Sequence, residues 1–391
     1  MITARYVRRL LLAALIIAVA AALASCGSDD SSDSGGSGSG TSAPATTTSA
    51  TDSGVAEAKA RLEKAMAPPD FVPGTKLDGA KVAKLKGGTI WFVSQSQAVP
   101  YFVSVYDGIK EAAAALGMKT RVFDAQGKAA AWNQGVAAAI AQGAKGIVLG
   151  FPPDQMQAAL GERAKKAGIP ITDAGVVDLK DPAYPGSVGH VGWSYEDAGK
   201  IEADFMVADS GAKAKALALL SVGYKVQEYR LDGFRSELKE LCSACSVAAV
   251  KHVPFAEWAS QLPTITTSYL SRDPDINYIL VAADGLALNV VKGVHQLHNT
   301  KVKLIGSDAS EYNLGLIKAG DVQAADIGVS EKWLGWASLD VILRAITTGS
   351  ADNEAVPLRM FTKDNLPDDI KDEDALFPSD WRGGFKQQWG L

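Results

Sequence analysis

Cysteine and histidine are scarce in this chain, and their placement limits the chemistry open to it. Cys26 closes the run Leu23, Ala24, Ser25 at the end of an apolar stretch that begins at Leu10 and follows Arg5, Arg8 and Arg9. A basic start, an apolar span and small residues before a cleavage point make a secretory signal. Cys242 and Cys245 are the other two of the 3 cysteines. In an oxidising compartment two nearby thiols pair, so a small structural disulfide is expected. A metal site would need two further ligands, and a thioredoxin-like site would open a helix, whereas this pair ends one; redox and metal roles are the alternatives. His295 and His298 lie three apart on a predicted helix, a spacing that can hold a metal. No carboxylate or cysteine joins them on that turn, so they are expected to be surface residues and no metal is expected. There is no Ser, His and acid arrangement, no phosphate-binding glycine loop and no HExxH motif. The expectation is therefore a non-enzyme without a cofactor.

The start of the chain resembles a bacterial lipoprotein signal with its lipobox. That resemblance implies removal of residues 1–25, a lipid on the sulfur and amine of Cys26, and a body outside the cytoplasmic membrane, held at the cell membrane by acyl chains alone. The apolar span is short for a bilayer, which needs about 20 apolar residues. Residues 28–54 are almost wholly Ser, Gly, Thr, Ala and Asp. Such a segment cannot offset the entropy of its own ordering, so 26–54 reads as a lipidated cysteine and flexible linker.

The part beyond the linker reads as a globular protein, and over the whole chain hydrophobic residues make up 47%, charged residues 21%, and the net charge is −5. No basic cluster suited to phosphates is present, so nucleic acid is not an expected partner. Residues 55–67 read as a short amphipathic helix, ending at Pro68 and Pro69, that would pack on the first half of the body. After the connection to residue 87, short apolar runs alternate with helical ones: 89–93, 99–116, 120–123, 129–142, 146–149, 154–167 and 169–173. Gly117, Gly143 and Gly168 fall just after helical runs, where a left-handed residue closes a helix. After a Pro- and Gly-rich break at 181–189 the alternation resumes and continues to about 348. Apolar strands without polar alternation imply parallel sheets covered on both faces. The result is an α/β protein with two doubly wound parallel sheets in series, and such sheets bind ligands at the carboxyl ends of their strands.

Seven local patterns, in order, carry a resemblance to a known family. They are Trp91 to Ser94 with Pro100, Tyr101, Phe102 and Gly108; Asp124, Ala125, Gln126; Ala141 to Ala144; Ala167 to Pro170; Arg230 to Phe234; Ala283 to Leu288; and Ile305 to Asp308. The chain resembles the ribose-type (type I) periplasmic sugar-binding proteins. This implies a monomeric receptor of two lobes joined by three hinge crossovers, closing on a small molecule and presenting it to the membrane subunits of an ABC permease. The implied layout is 88–186 and 328–363 for lobe 1, with a strand at 356–361 returning to it, 187–327 for lobe 2, and a tail over 364–391 that buries Trp381, Phe385 and Trp389. Crossings are implied near 172–187, 283 and 327. By the same resemblance Asp173 and Asp308 would accept ligand hydroxyls, Arg230 would offer a donor fork, Tyr101, Phe102 and Phe255 would stack on a ring, and Ser94 would add a polar contact.

Several positions depart from the family pattern. Ala174 stands where Arg is expected, Phe151 and Ala283 where Asn is expected, Gly328 near an expected Gln, and Trp193 where Ser is expected. A buried hydroxyl without a partner costs about 1 to 3 kcal/mol, so the pocket favours fewer hydroxyls and a larger apolar or planar face. Phe151 and Trp193 would then enclose either a sugar or polyol, or a less polar aromatic or alicyclic metabolite whose carboxylate would suit Arg230. A surface sensor that feeds a signalling partner would use the same clamp.

Overall fold

The computed structural model describes residues 50–391, so the signal, Cys26 and most of the expected linker lie outside the described residues. In chain order the elements are α1 (Ala50–Met66), α2 (Gly79–Ala83), β1 (Thr89–Ser94), α3 (Pro100–Ala115), β2 (Lys119–Asp124), α4 (Ala129–Ala141), β3 (Gly146–Gly150), α5 (Asp154–Lys166), β4 (Ile171–Asp173) and β5 (Val191–Gly192). They continue with α6 (Tyr195–Ser210), β6 (Lys215–Ser221), α7 (Lys225–Leu241), β7 (Ser246–Val253), α8 (Trp258–Arg272), β8 (Tyr278–Val281), α9 (Asp284–Gln296), β9 (Lys303–Ser307), α10 (Glu311–Ala319) and β10 (Gln323–Gly328). The last are α11 (Glu331–Thr348), β11 (Glu354–Ala355), β12 (Arg359–Thr362), α12 (Glu373–Leu376) and α13 (Trp381–Trp389).

The first sheet has the order β2-β1-β3-β4, all parallel. The second has the order β12-β10-β9-β8-β6-β7 and is parallel except at β12. Strand β6 shows why both faces are covered. Ala216, Ala218 and Leu220 belong to the core beneath α6 and α7, while Leu217 and Leu219 point into the core beneath α8 and α9, as a period of two requires. Helix ends follow their sequence signals: Ser194 and Ser330 accept from the backbone N–H of Asp197 and Trp333, and Gly211, Gly320 and Gly349 close helices in the left-handed region. A disulfide joins Cys242 and Cys245 at the end of α7. Among the described residues no helix is long and apolar enough to cross a membrane.

Five expectations about layout change. Residues 50–54 are already helical, because α1 is held by packing: Ala58 is buried and Arg61 binds Glu237 of α7, with Glu240 at 3.0 Å. Helix α1 packs on α6 and α7 of the second lobe, and not on the first. The strand expected to return to the first lobe instead pairs antiparallel with β10, Ile327 opposite Met360, so β12 is an edge of the second sheet. No crossing occurs near residue 283, since β8 and α9 both belong to the second lobe. The three crossovers lie between β5 and α6, between β10 and α11, and between β11 and β12. Strand β5, with the bridge from Ala174 to Val191, prolongs the first lobe past residue 187.

Residues 50–77 and the C-terminal tail fasten both lobes together. From α1, whose Met66 carbonyl accepts from Arg359 at 3.0 Å, the chain passes to the first lobe, where Phe71 meets Trp333 and Phe385. The tail starts on the second lobe, Phe377 against Phe361, and ends with α13 on α11. Trp381, Phe385 and Trp389 are buried there against Trp333 and Trp336.

Candidate functional site: the cleft between the lobes

The carboxyl ends of both sheets converge on one cavity. The first lobe contributes Gln95 and Phe151, each just past a strand, with Val99, Tyr101 and Phe102 at the start of α3. The second contributes Ser221, Ser307 and Asp308 at strand ends, Tyr224 and Gln227 entering α7, and Trp258 opening α8; Tyr195 closes the base. The enclosed space is about 50 Å³, far below the roughly 300–1,000 Å³ of small-molecule pockets. A ring-sized ligand therefore enters only when the lobes separate.

Contacts across the cleft hold this closed form. Gln95 Nε2 donates to the Tyr224 hydroxyl at 2.6 Å, and the Phe151 and Tyr224 rings lie 5.1 Å apart. The Lys225 backbone N–H donates to Asp154 Oδ2 at 2.7 Å. The Phe255 ring covers Gly127 so closely that a Cβ there would fall 2.6 Å from it. Tyr224→Ala removes a buried hydrogen bond and an aromatic pair, about 2 kcal/mol together. It is expected to shift the free protein towards the open form, read as a larger radius of gyration in solution scattering; an unchanged radius would contradict this closure.

Two wall residues sit in backbone conformations that only glycine adopts easily: Phe151 at φ 69 and Asp308 at φ 118. Such positions cost about 1–3 kcal/mol each and collect at ligand sites.

The residues expected to touch ligand separate into two groups. Tyr101, Phe102, Phe151 and Asp308 line the cavity; the others are placed elsewhere. Ser94 is buried and accepts from Gln97 Nε2 at 2.8 Å. Trp193 tilts onto Tyr195 at 4.9 Å, and Phe255 packs on Trp258 at 4.7 Å. Asp173 is fully buried and accepts from the Val176 N–H at 3.2 Å. Tyr101 and Tyr195 line the cavity and both reach Gly175, two residues beyond Asp173. The Trp193 ring packs at the same glycine.

Arg230 departs furthest from its expected role. It is 2% exposed and bidentate to Glu202, Nε to Oε2 at 2.6 Å, with Nη1 donating to the Ala282 carbonyl at 3.1 Å. Burial pulls the guanidinium down, but the charge and hydrogen bonds of Glu202 outweigh it and hold it above its ordinary value. Burial pushes Glu202 up to about 7 against the attraction of Arg230. The pair is ionised, since a guanidinium buried beside a neutral acid would be uncompensated. No donor fork is left for a ligand carboxylate.

Carboxyls surround the cleft floor. Burial, then the charge of Asp326, pushes Asp308 up to about 8, and burial pushes Asp173 to about 8. Asp173 ionises near 3.8 when unfolded, so between those values the folded protein holds a proton that the unfolded chain lacks, and stability falls as pH rises through that window. Asp173→Asn is expected to flatten that fall, read from unfolding midpoints between pH 5 and about 8; an unaltered slope would mean that Asp173 is ionised in the fold.

Of the wall residues that the sequence analysis missed, Gln95, Ser221 and Ser307 lie at or just past strand ends, where the rule for open sheets already pointed, whereas Val99, Tyr195, Tyr224, Gln227 and Trp258 lie at helix starts. Away from the cleft, His295 Nε2 lies 2.8 Å from Asp321 at the surface. Among the described residues no group of three or more His, Cys, Asp or Glu is arranged to hold a metal.

Fold, crossovers and cleft define a two-lobed ligand-binding protein. Residues 49–350 match the family model for the periplasmic binding protein domain, and the chain belongs to that family. It is 26% identical over 236 residues to the D-apiose import binding protein of Actinobacillus succinogenes, covering 60% of this chain and 74% of that one. It is 24% identical over 229 residues to the ribose import binding protein of Escherichia coli, covering 57% and 73%. Among solved structures, the Caulobacter myo-inositol binding protein bound to myo-inositol superposes with a TM-score of 0.62 at 24% identity, over 71% of this chain and 94% of that one. These relatives are binding proteins of import systems and not enzymes.

Proposed function

We propose that this chain is the lipid-anchored, extracytoplasmic binding component of an ABC import system, and that it closes its two lobes on a sugar-sized ring. The observation that carries this reading is the cavity walled by strand ends of both lobes, with flat aromatic faces beside hydrogen-bonding groups. Aromatic rings take the apolar face of a ring, and Asp308, Gln95 and Ser221 take its polar edge. The names of the relatives, import proteins for apiose and ribose, support the ligand class, and the secretory signal ending at Cys26 supports the anchor. The import systems of the relatives support delivery to permease subunits, with the closed form as the state presented.

Titrating the full chain with a panel of pentoses, hexoses and cyclitols tests this. A binding member at a hundred times its dissociation constant is expected to add about 2.7 kcal/mol to stability. No stabilisation by any sugar-sized ring would overturn the reading. Labelled fatty acid is expected on the wild-type chain and not on Cys26→Ser; label on the variant would overturn the anchor.

A further inference from the structure

Resting on the proposed capture of a small ring, we propose that the preferred ligand carries a protonated amine, seated against the aromatic wall and directed at the Asp308 carboxylate. The wall holds six aromatic rings, those of Tyr101, Phe102, Phe151, Tyr195, Tyr224 and Trp258, yet no Lys, Arg or His. The one cation near the floor, Arg230, is committed to Glu202 and to the backbone carbonyls of Ala282 and Gly306. Where the family pattern places a second arginine, after Asp173, this chain has Ala174.

The acids remain without those cations. Asp308 stands in the wall with Oδ2 accepting from the Asp284 N–H at 3.1 Å, and Asp173 keeps one buried oxygen with no hydrogen-bond partner. Tyr101, only 6% exposed and part of the wall, has a hydroxyl with no partner. Asp308, Glu331 and Asp173 all act on it electrostatically. Aromatic faces attract cations, most strongly where water is excluded. Burial and Asp326 hold Asp308 up at about 8, so in the free protein it carries a proton at neutral pH; an ammonium satisfies the ring faces and supplies the counter-charge on which Asp308 gives that proton up. An anionic ligand finds neither a cation nor a donor fork in the wall.

Matched probes on the full chain separate this proposal from the one it rests on. Glucosamine is compared with glucose and with N-acetylglucosamine, and cyclohexylamine with cyclohexanol, by calorimetric titration at neutral pH. In each series the amine is expected to bind at least tenfold more tightly than its hydroxyl partner, and acetylation to abolish the gain. Asp308→Asn keeps the side-chain shape and the acceptor for the Asp284 N–H, and is expected to erase the preference for amines. Equal or tighter binding of the hydroxyl members would overturn the amine proposal and leave ring capture standing. Binding of no member of either series would overturn both. If Asp308→Asn fails to fold, the paired ligands on the wild-type chain still decide.

Discussion

Arg230→Met alone is expected to destabilise the protein by about 3–5 kcal/mol, because it leaves the Glu202 carboxylate buried without its charge partner. The geometry that makes the pair is itself built by glycines. A Cβ on Gly199 of α6 would lie 1.9 Å from the Arg230 carbonyl, and one on Gly233 of α7 would lie 2.1 Å from the Glu196 carbonyl. Only glycines let the two helices cross this closely, and the crossing sets Glu202 and Arg230, each one turn from a glycine, face to face. Combining Arg230→Met with Glu202→Leu removes both charges from the interior and is expected to recover most of the loss, since well-packed apolar side chains replace a buried pair at little cost. Denaturant unfolding of the wild type, both single variants and the double variant measures the coupling. If Arg230→Met cost less than about 1 kcal/mol, the guanidinium would not be the structural cation described above and would again be available to ligand.

The second large effect lies in the tail. Trp389 is 0% exposed, stacks on Trp336 at 5.2 Å, and donates from Nε1 to Asp340 Oδ1 at 2.6 Å. Trp389→Ala is expected to cost about 3–5 kcal/mol, a large share of the roughly 5–15 kcal/mol that holds a domain folded. The neighbouring chain end depends on the same turn, for the Leu77 N–H donates to the Gln388 carbonyl at 2.7 Å and the Gly74 N–H to Gln388 Oε1 at 2.9 Å. Loosening α13 is therefore expected to release residues 71–77 as well, seen as faster amide exchange at both ends of the chain. A loss below about 1 kcal/mol, with exchange unchanged at 71–77, would show that the tail merely rests on α11.

The alternation of strands and helices was legible because the central strands, such as β3, β6 and β8, are buried on both faces while the helices between them carry an apolar face, so period and composition together separate them. Strand pairing was less so. Arg359–Thr362 is a four-residue edge strand, and nothing in so short a run tells parallel from antiparallel or one sheet from the other. The rings of the tail announced their burial by type, but not which helix would cover them. At the site, the family resemblance and the departures from it pointed to Tyr101, Phe102, Phe151 and Asp308, which line the cavity. Arg230 was read as a ligand donor because its partner stands 28 residues earlier on another helix, a contact that only the Gly199 and Gly233 crossing creates. Tyr195, whose hydroxyl donates to the Gly175 carbonyl, and the Trp193 ring packed beside it meet at the turn that follows Asp173; no local pattern foretells that contact.

The most direct test is the distance between the lobes of the full chain, measured by paired spin labels at Lys128 and Ser260, exposed positions on opposite sides of the cleft. Glucose, glucosamine and myo-inositol are added in turn at saturation. The expected result is a broad distribution without ligand that collapses to a single short distance with a binding probe, and a longer distribution for Tyr224→Ala before any probe is added. A distribution that is the same with and without every probe would contradict closure of the two lobes on a small ring.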